Sequence, residues 1–297
     1  MTFLQGVLLG ILQGIAEFLP ISSSGHLQLA QTLFGLDEVP LLYDVFLHLA
    51  TLFAVCIFFW KKIWNLLKCF GRWITRKPAQ GNNDSIDTTD LLSGTDQAGR
   101  KTIIAIIITT AITGVMGIVT SKLIPELPIK VTCCGFLVTS ALLIVSTILE
   151  KRQKAATTSS ATPDAAATEN ATQAQGISII QSIVIGIMQG FGTLPGISRS
   201  GSTIAGALFS KVNRSVAGEY SFIVSIPAIL GAFILELKDL GEVSESIGAG
   251  PVIGGCIAAF AVGYGALALL MKLIKKGKLG WFAAYLIPLG IFGLFYF

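Results

Sequence analysis

Long apolar runs occupy roughly residues 41–60, 102–121, 129–149, 217–235, 249–271 and 281–297. Each is close to the 20 or so residues that cross a bilayer, so the pattern predicts six full membrane spans. Two further apolar pieces, 3–35 and 177–210, are broken in the middle by Pro, Ser and Gly. Irregular backbone at membrane depth survives only where it is buried in protein or lines a wet cavity. These two pieces are therefore expected to be re-entrant helical hairpins. Two polar segments interrupt the pattern: 75–100, rich in Asn, Asp, Thr and Gly, and 152–176, an Ala/Thr/Ser/Gln tract. Both lack the apolar content to build a core and read as flexible loops or linkers.

The broken pieces repeat one another. Gly10 to Gly25 aligns without a gap on Gly186 to Gly201 at a constant offset of 176, with eight of sixteen positions identical. The chain thus divides into a first half, 1–150, a polar linker, 151–176, and a second half, 177–297. Each half holds one hairpin and three full spans, an odd number, so the second half should be inverted relative to the first. Basic flanks agree with that parity. Lys61, Lys62, Lys68, Arg72, Arg76 and Lys77 place the end of the first span inside, and Lys151, Arg152 and Lys154 do the same for the third. In the second half Lys211, Arg214, Lys272, Lys275, Lys276 and Lys278 lie inside and the acidic loop from Glu236 to Glu245 outside. Both termini then face outward. The expected fold is an all-α polytopic membrane protein built as an inverted-topology repeat, with two re-entrant hairpins and about six spans. Fold alone does not choose between carrying and catalysing.

Composition supports the setting: 53% of residues are hydrophobic and 13% charged, against about 25% charged in soluble domains, and the mean hydropathy is +0.74. The net charge of +4 is mild and clustered at span ends, which suits membrane flanks and implies no nucleic-acid partner. The first apolar stretch lacks the basic start of a signal peptide and contains Glu17, so it reads as part of the mature protein. Five cysteines, odd in number and without metal-ligand spacing, read as free packing thiols.

Candidate chemistry concentrates in the two corners. Ser22-Ser23-Ser24-Gly25 and Ser198-Arg199-Ser200-Gly201 each precede a new apolar helical run. Ser is a favoured N-cap, and a helix N-terminus offers free N–H groups and a positive dipole end. Two such ends meeting at mid-depth would hold an anion such as phosphate. The halves differ where chemistry would sit: Glu17 stands opposite Thr193, Ser23 opposite Arg199, and His26 opposite Ser202. An arginine in the membrane interior costs about 2.5–3.5 kcal/mol on insertion scales and calls for an anion or a cavity. Arg199 either forms a structural ion pair with Glu17 or grips phosphate oxygens while Glu17 helps to hold a divalent cation. His26 is available for proton transfer or nucleophilic attack.

Glu17-Phe-Leu-Pro-Ile-Ser-Ser-Ser-Gly-His26, Pro195-Gly-Ile-Ser-Arg-Ser-Gly-Ser-Thr203 and Glu219-Tyr-Ser-Phe resemble the signature segments of the undecaprenyl pyrophosphate phosphatases, also called the bacitracin-resistance protein family. The resemblance implies an enzyme of the bacterial inner membrane that removes the terminal phosphate of an isoprenoid pyrophosphate lipid, with Mg2+ or Ca2+ as cofactor. It implies catalytic roles for Glu17, Ser23, His26 and Arg199, with Ser22 beside them. Ser198, Arg199, Ser200 and Thr203 would bind the pyrophosphate. The family's motif begins with Glu or Gln and has Glu four residues on; this chain has Gln13 and Glu17 at those places, the implied metal ligands. Either Ser23 or His26 could attack phosphorus. The rival reading is a non-catalytic lipid-phosphate carrier or flippase on the same scaffold.

Two weaker patterns remain. Gly10 and Gly14, Gly186 and Gly190, and Gly250 and Gly254 have small-xxx-small spacing, which serves close helix packing or the face of a homodimer. Asp44 and His48, four apart on one helical face, and Glu219 in the second half are intramembrane ionisable groups. They are read either as supports of the site or as simple interhelical hydrogen-bonding groups.

Overall fold

The computed structural model describes residues 1–36, 41–76, 96–123, 127–159, 176–236 and 248–297. Among them the regular structure is entirely helical. In chain order the helices are α1 (Phe3–Phe18), α2 (Ser23–Leu33), α3 (Leu41–Phe58), α4 (Trp60–Ile74), α5 (Asp96–Leu123) and α6 (Ile129–Ser159). After the linker come α7 (Ile179–Phe191), α8 (Arg199–Phe209), α9 (Arg214–Glu236), α10 (Ala249–Lys275) and α11 (Trp281–Tyr296). Helices α5, α6, α9 and α10 are long and apolar enough to cross a membrane, and α3 with α4 makes a fifth candidate bent by 79°.

The two broken pieces are helix–break–helix units. In the first, α1 ends at Phe18 and Leu19 turns to extended backbone, as a residue preceding proline must when Pro20 excludes it from the helical region. Ser22 then caps α2, its Oγ accepting from the Gly25 N–H at 3.4 Å. In the second, Ser198 caps α8 in the same way, its Oγ accepting from the Gly201 N–H at 3.1 Å. The far ends match as well: Thr2 with Gln5 and Ser178 with Gln181 form reciprocal capping boxes at the starts of α1 and α7. In the second corner Gly196 has φ +78°, and a Cβ there would lie 2.7 Å from the Thr132 carbonyl carbon. Glycine alone fits both demands.

Each hairpin packs on the other half of the chain. Helix α1 lies along α10, and α7 lies along α5. The first contact is possible because Gly6, Gly10 and Gly14 meet Pro251, Gly255 and Ala259; a Cβ at Gly10 would sit 2.7 Å from the Gly255 Cα. In the second, a Cβ at Gly186 would sit 3.2 Å from the Thr109 Cα, and one at Gly190 2.9 Å from the Met116 Cβ. These two glycine stripes are thus spent on packing inside the chain and not on the face of a dimer. Helix α6 packs on α11, and α3 on α9 and α10. One buried cluster holds Phe18 and Ala54 from the first half together with Ile185, Ile204, Tyr220 and Leu267 from the second.

Several boundaries differ from the sequence-based expectation. The run 41–60 stops at Phe58 and the chain turns sharply into α4, a helix where a basic flank was expected. Its Arg72 guanidinium pairs with Asp96 of α5, and its Lys62 Nζ lies 2.5 Å from Glu219 of α9. The last run forms α11, an apolar helix of 16 residues, shorter than the usual span. Helix α6 continues to Ser159, into the expected linker, because Lys151 to Ala156 are good helix formers. Helix α5 begins at Asp96, inside the first polar segment. The rest of both segments, 77–95 and 160–175, and the acidic loop at 237–247 lie outside the described residues. All five cysteines are free, as expected.

Candidate active site

The last turn of α1 carries Gln13 and Glu17 on one face, four residues apart, and the Gln13 Nε2 donates to Glu17 Oε2 at 3.0 Å. Both are buried. The break at Leu19 to Ser22 folds the first residue of α2 back over this carboxylate, and the Ser23 Oγ donates to Glu17 Oε2 at 2.6 Å. From α3, the His48 Nε2 lies 3.5 Å from the same oxygen. The other oxygen, Oε1, pairs with the guanidinium of Arg199, the first residue of α8. Four helices from both halves therefore converge on one carboxylate. A carboxylate so far from water is tolerable only with such partners.

The second corner is held from behind. The Ser198 N–H donates to Thr139 Oγ1 at 2.9 Å, and the Ser200 Oγ donates to the Phe18 carbonyl at 3.2 Å, tying the two corners together. The Thr203 hydroxyl lies 2.6 Å from the Arg199 carbonyl and 3.3 Å from Gln189 Oε1. Gln189, which aligns with Gln13, in turn donates to Thr113 at 3.1 Å. So the repeated glutamine serves the carboxylate in one hairpin and the hydroxyl cluster in the other. Glu17, Arg199, Ser200 and Thr203 line one cavity with Thr51 of α3 and Ser221, Phe222 and Ser225 of α9.

His26 sits differently from the expected cluster. Its Nδ1 is 2.8 Å from the Ser22 carbonyl and its Nε2 is 2.9 Å from the Tyr285 hydroxyl of α11. A carbonyl only accepts, so Nδ1 carries a proton, and in the neutral ring Nε2 accepts from Tyr285. The His26 and Tyr285 rings stack with centroids 5.7 Å apart, and the Phe136 ring lies tilted 5.1 Å from His26. The structure thus gathers Gln13, Glu17, Ser23, His48 and Arg199, and turns His26, one helical turn beyond Ser23, toward α11.

Of the three ionisable groups outside the corners, His48 joins the carboxylate. Its Nδ1 is held by the Asp44 carbonyl at 2.7 Å, while the Asp44 carboxylate accepts from Gln31 at 2.9 Å. Glu219, two residues before the cavity-lining Ser221, takes Lys62 as a partner. Reading the sequence did not single out Tyr285, Thr51, Gln189 or Ser225, and it touched Ser221 only inside the segment Glu219-Tyr-Ser-Phe. Gln189 was visible through the repeat, and Ser221 and Ser225 through hydroxyls one turn apart. Tyr285 carried no local signal, since only tertiary packing brings α11 to His26.

The oxygen set fits a hard divalent cation in part. Gln13 Oε1 is buried without a hydrogen-bond partner among the described residues, beside the Glu17 carboxylate. Among the described residues no group of three His, Cys, Asp or Glu side chains could hold a metal. The protein would thus supply two oxygens, and a cation such as Mg2+ takes its remaining ligands from water and phosphate.

The sequence model of the family described as Bacitracin resistance protein BacA matches residues 6–292. The chain belongs to this family. Within it, a protein of Treponema denticola called undecaprenyl-diphosphatase is 41% identical, the alignment covering 98% of this chain and 96% of the relative. A protein of the same name from Desulforapulum autotrophicum is 37% identical over 99% and 98%. Another from Desulfatibacillum aliphaticivorans is 38% identical over 96% and 95%. The BacA-family match covers the first hairpin from Gly6 onward, all of the second, and every residue of the Glu17 cluster.

The Tyr285 hydroxyl should shield His26 from electrophiles. The chain has two histidines, so a His48→Gln background leaves His26 alone. In that background Tyr285→Phe should raise the rate of His26 carbethoxylation by about threefold to tenfold, the worth of one hydrogen bond. An unchanged rate would show that Tyr285 does not hold Nε2.

Proposed function

We propose that this chain hydrolyses undecaprenyl diphosphate to undecaprenyl phosphate and inorganic phosphate, recycling a lipid carrier for cell-wall synthesis and so conferring bacitracin resistance. The observation that carries this reading is the Arg199 guanidinium facing the Glu17 carboxylate, which also accepts from the Ser23 hydroxyl. A guanidinium fork suits phosphate oxygens, and a hydroxyl hydrogen-bonded to a carboxylate is the pairing of a nucleophile with its base. The names of the relatives supply the substrate.

In the mechanism we favour, the terminal phosphate lies against Arg199 and the free N–H groups at the starts of α2 and α8, where both add positive potential. Ser200 and Thr203 shape that end of the pocket, and Ser22 and Ser198 fix the starts of α2 and α8. The Ser23 Oγ–H passes its proton to Glu17 as Oγ attacks the terminal phosphorus. The bond from that phosphorus to the bridging oxygen breaks, and undecaprenyl phosphate leaves with the electron pair. Water then attacks the phosphorus of the Ser23 phosphoester; as the phosphorus–Oγ bond breaks, Glu17 returns its proton to Oγ, and inorganic phosphate leaves with the oxygen and protons of the water. Arg199 offsets the charge that builds on the transferred group in both steps. His26 is assigned to proton transfer, its Nε2 being reached through the Tyr285 hydroxyl. Glu17 and Gln13 would hold Mg2+ or Ca2+, which when bound neutralises phosphate charge and adds Lewis acidity.

We also read the chain as an inverted repeat of two re-entrant hairpins and six spans in the bacterial inner membrane, counting α3 and α11 as spans. Supporting this are the matching caps at the 176-residue offset and the reciprocal packing of α1 on α10 and of α7 on α5. Odd span numbers and basic flanks then put both termini outside.

Purified protein should release phosphate from undecaprenyl diphosphate, and release should stop after exhaustive chelation. Arg199→Lys should cut the rate about a hundredfold, since a point charge cannot replace the fork. A rate of at least half the normal value would remove Arg199 from this role, and lipid movement without phosphate release would favour the carrier. In a cysteine-free background, Ser244→Cys should react with a membrane-impermeant thiol reagent on intact cells and Ser160→Cys should not. The reverse pattern would invert the topology.

A further inference from the structure

Helix α4 has no part in the chemistry above, yet it is the most strongly amphipathic helix among the described residues and has three distinct faces. One faces the protein: Leu66 and Cys69 are buried, Lys62 pairs with Glu219, and Arg72 pairs with Asp96. A second is apolar and open, with Trp60, Trp64, Leu67, Phe70 and Ile74 each more than 40% exposed. The third is basic. Lys61 and Lys68, seven residues apart, are exposed on it, and exposed Arg76 follows the end of the helix. None of these three forms an ion pair among the described residues, and the Lys68 Nζ stands 5.7 Å from the centre of the Trp64 ring, at the border of the two open faces.

Geometry fixes what those faces meet. The helix turns 79° from α3, so it does not run across the bilayer beside it. Its 15 residues span about 22 Å, short of the roughly 30 Å hydrocarbon core. Three of the chain's four tryptophans lie on it, and tryptophan is enriched at the membrane–water boundary. A helix with an apolar face, a lysine-bearing face and two ion pairs fastening it to the bundle is built to lie in the interface plane. There its ammonium groups stand at headgroup level, where negative charge complements them.

We propose that α4 is a docking surface for anionic phospholipid headgroups. Trp60, Trp64, Leu67 and Ile74 enter the acyl boundary, and Lys61, Lys68 and Arg76 hold the phosphates of phosphatidylglycerol-type lipids. The surface lies on a different helix from the Glu17 cluster, and its test does not depend on the catalytic reading.

The full chain carrying Trp281→Phe keeps tryptophans on α4 alone. It would be reconstituted into vesicles of phosphatidylcholine and phosphatidylglycerol in which one or the other lipid carries brominated acyl chains at the same mole fraction. Brominated phosphatidylglycerol should quench the fluorescence beyond its mole fraction. The expected enrichment around α4 is about fivefold, the factor equivalent to about 1 kcal/mol for one basic side chain near an anionic surface. That excess should shrink as salt is raised. It should also disappear in the Lys61→Gln, Lys68→Gln, Arg76→Gln triple variant, in which all three changes are at exposed positions. Equal quenching by the two lipids in the parent protein would overturn the preference. Absence of quenching by either would overturn the interfacial placement. An excess that survives in the triple variant would take these three side chains out of the surface.

Discussion

A glutamate whose side chain is 3% exposed must be satisfied from all sides, and Glu17 draws its partners from α1, α2, α3 and α8. The pair with Arg199 is the only one of these that brings charge from the second half of the chain. Much of the surrounding architecture can be understood as what places those two groups together. The α1 and α2 break turns Ser23 back over the carboxylate, and the α7 and α8 break aims Arg199 at it. Glycine stripes let each hairpin press against a helix of the opposite half. Replacing Gly10 or Gly255 by a larger residue would therefore disturb the site from a distance, by moving the helix that carries Glu17.

The repeated corner shows how one backbone motif can carry unlike side chains. Both hairpins start on a capping box, contain a buried glutamine and restart on a capping serine. The backbone demands are thus met twice by the same residue types. The positions left over carry the difference: Glu17, Ser23 and His26 on one side, and Thr193, Arg199 and Ser202 on the other. Gln13 serves the carboxylate, whereas Gln189 serves Thr203 and Thr113. Identical side chains have been recruited to different tasks by what changed around them.

The helical class, the broken hairpins and the capping serines were legible in the sequence because they depend on local rules: apolar run length, proline, and hydroxyls before a helix. The meeting of Glu17 with Arg199 was also foreseeable, since two unlike charges in matching corners of a repeat have few other ways to be satisfied. The bend at Phe59 was not, because α3 and α4 read as one apolar run with a basic end, and nothing local marks the turn. Nor was the partnership of His26 with Tyr285, which lies 259 residues away and arises from the packing of α11 on α6. His48 was visible as an intramembrane ionisable group, but its approach to Glu17 depends on the packing of α3 against α1.

Glu17 and Arg199 form the pair that joins the two hairpins. A double-mutant cycle on unfolding in mild detergent tests it most directly, with Glu17→Gln, Arg199→Gln and the combined variant. Breaking a buried pair from one side leaves a charge without its partner, at a cost of about 3–5 kcal/mol, whereas removing both charges relieves that penalty. The double variant should lose clearly less stability than the sum of the two single losses, with a coupling above about 1 kcal/mol. Strictly additive losses would contradict it, because each side chain would then be held by its other neighbours and the two hairpins would be joined by something else.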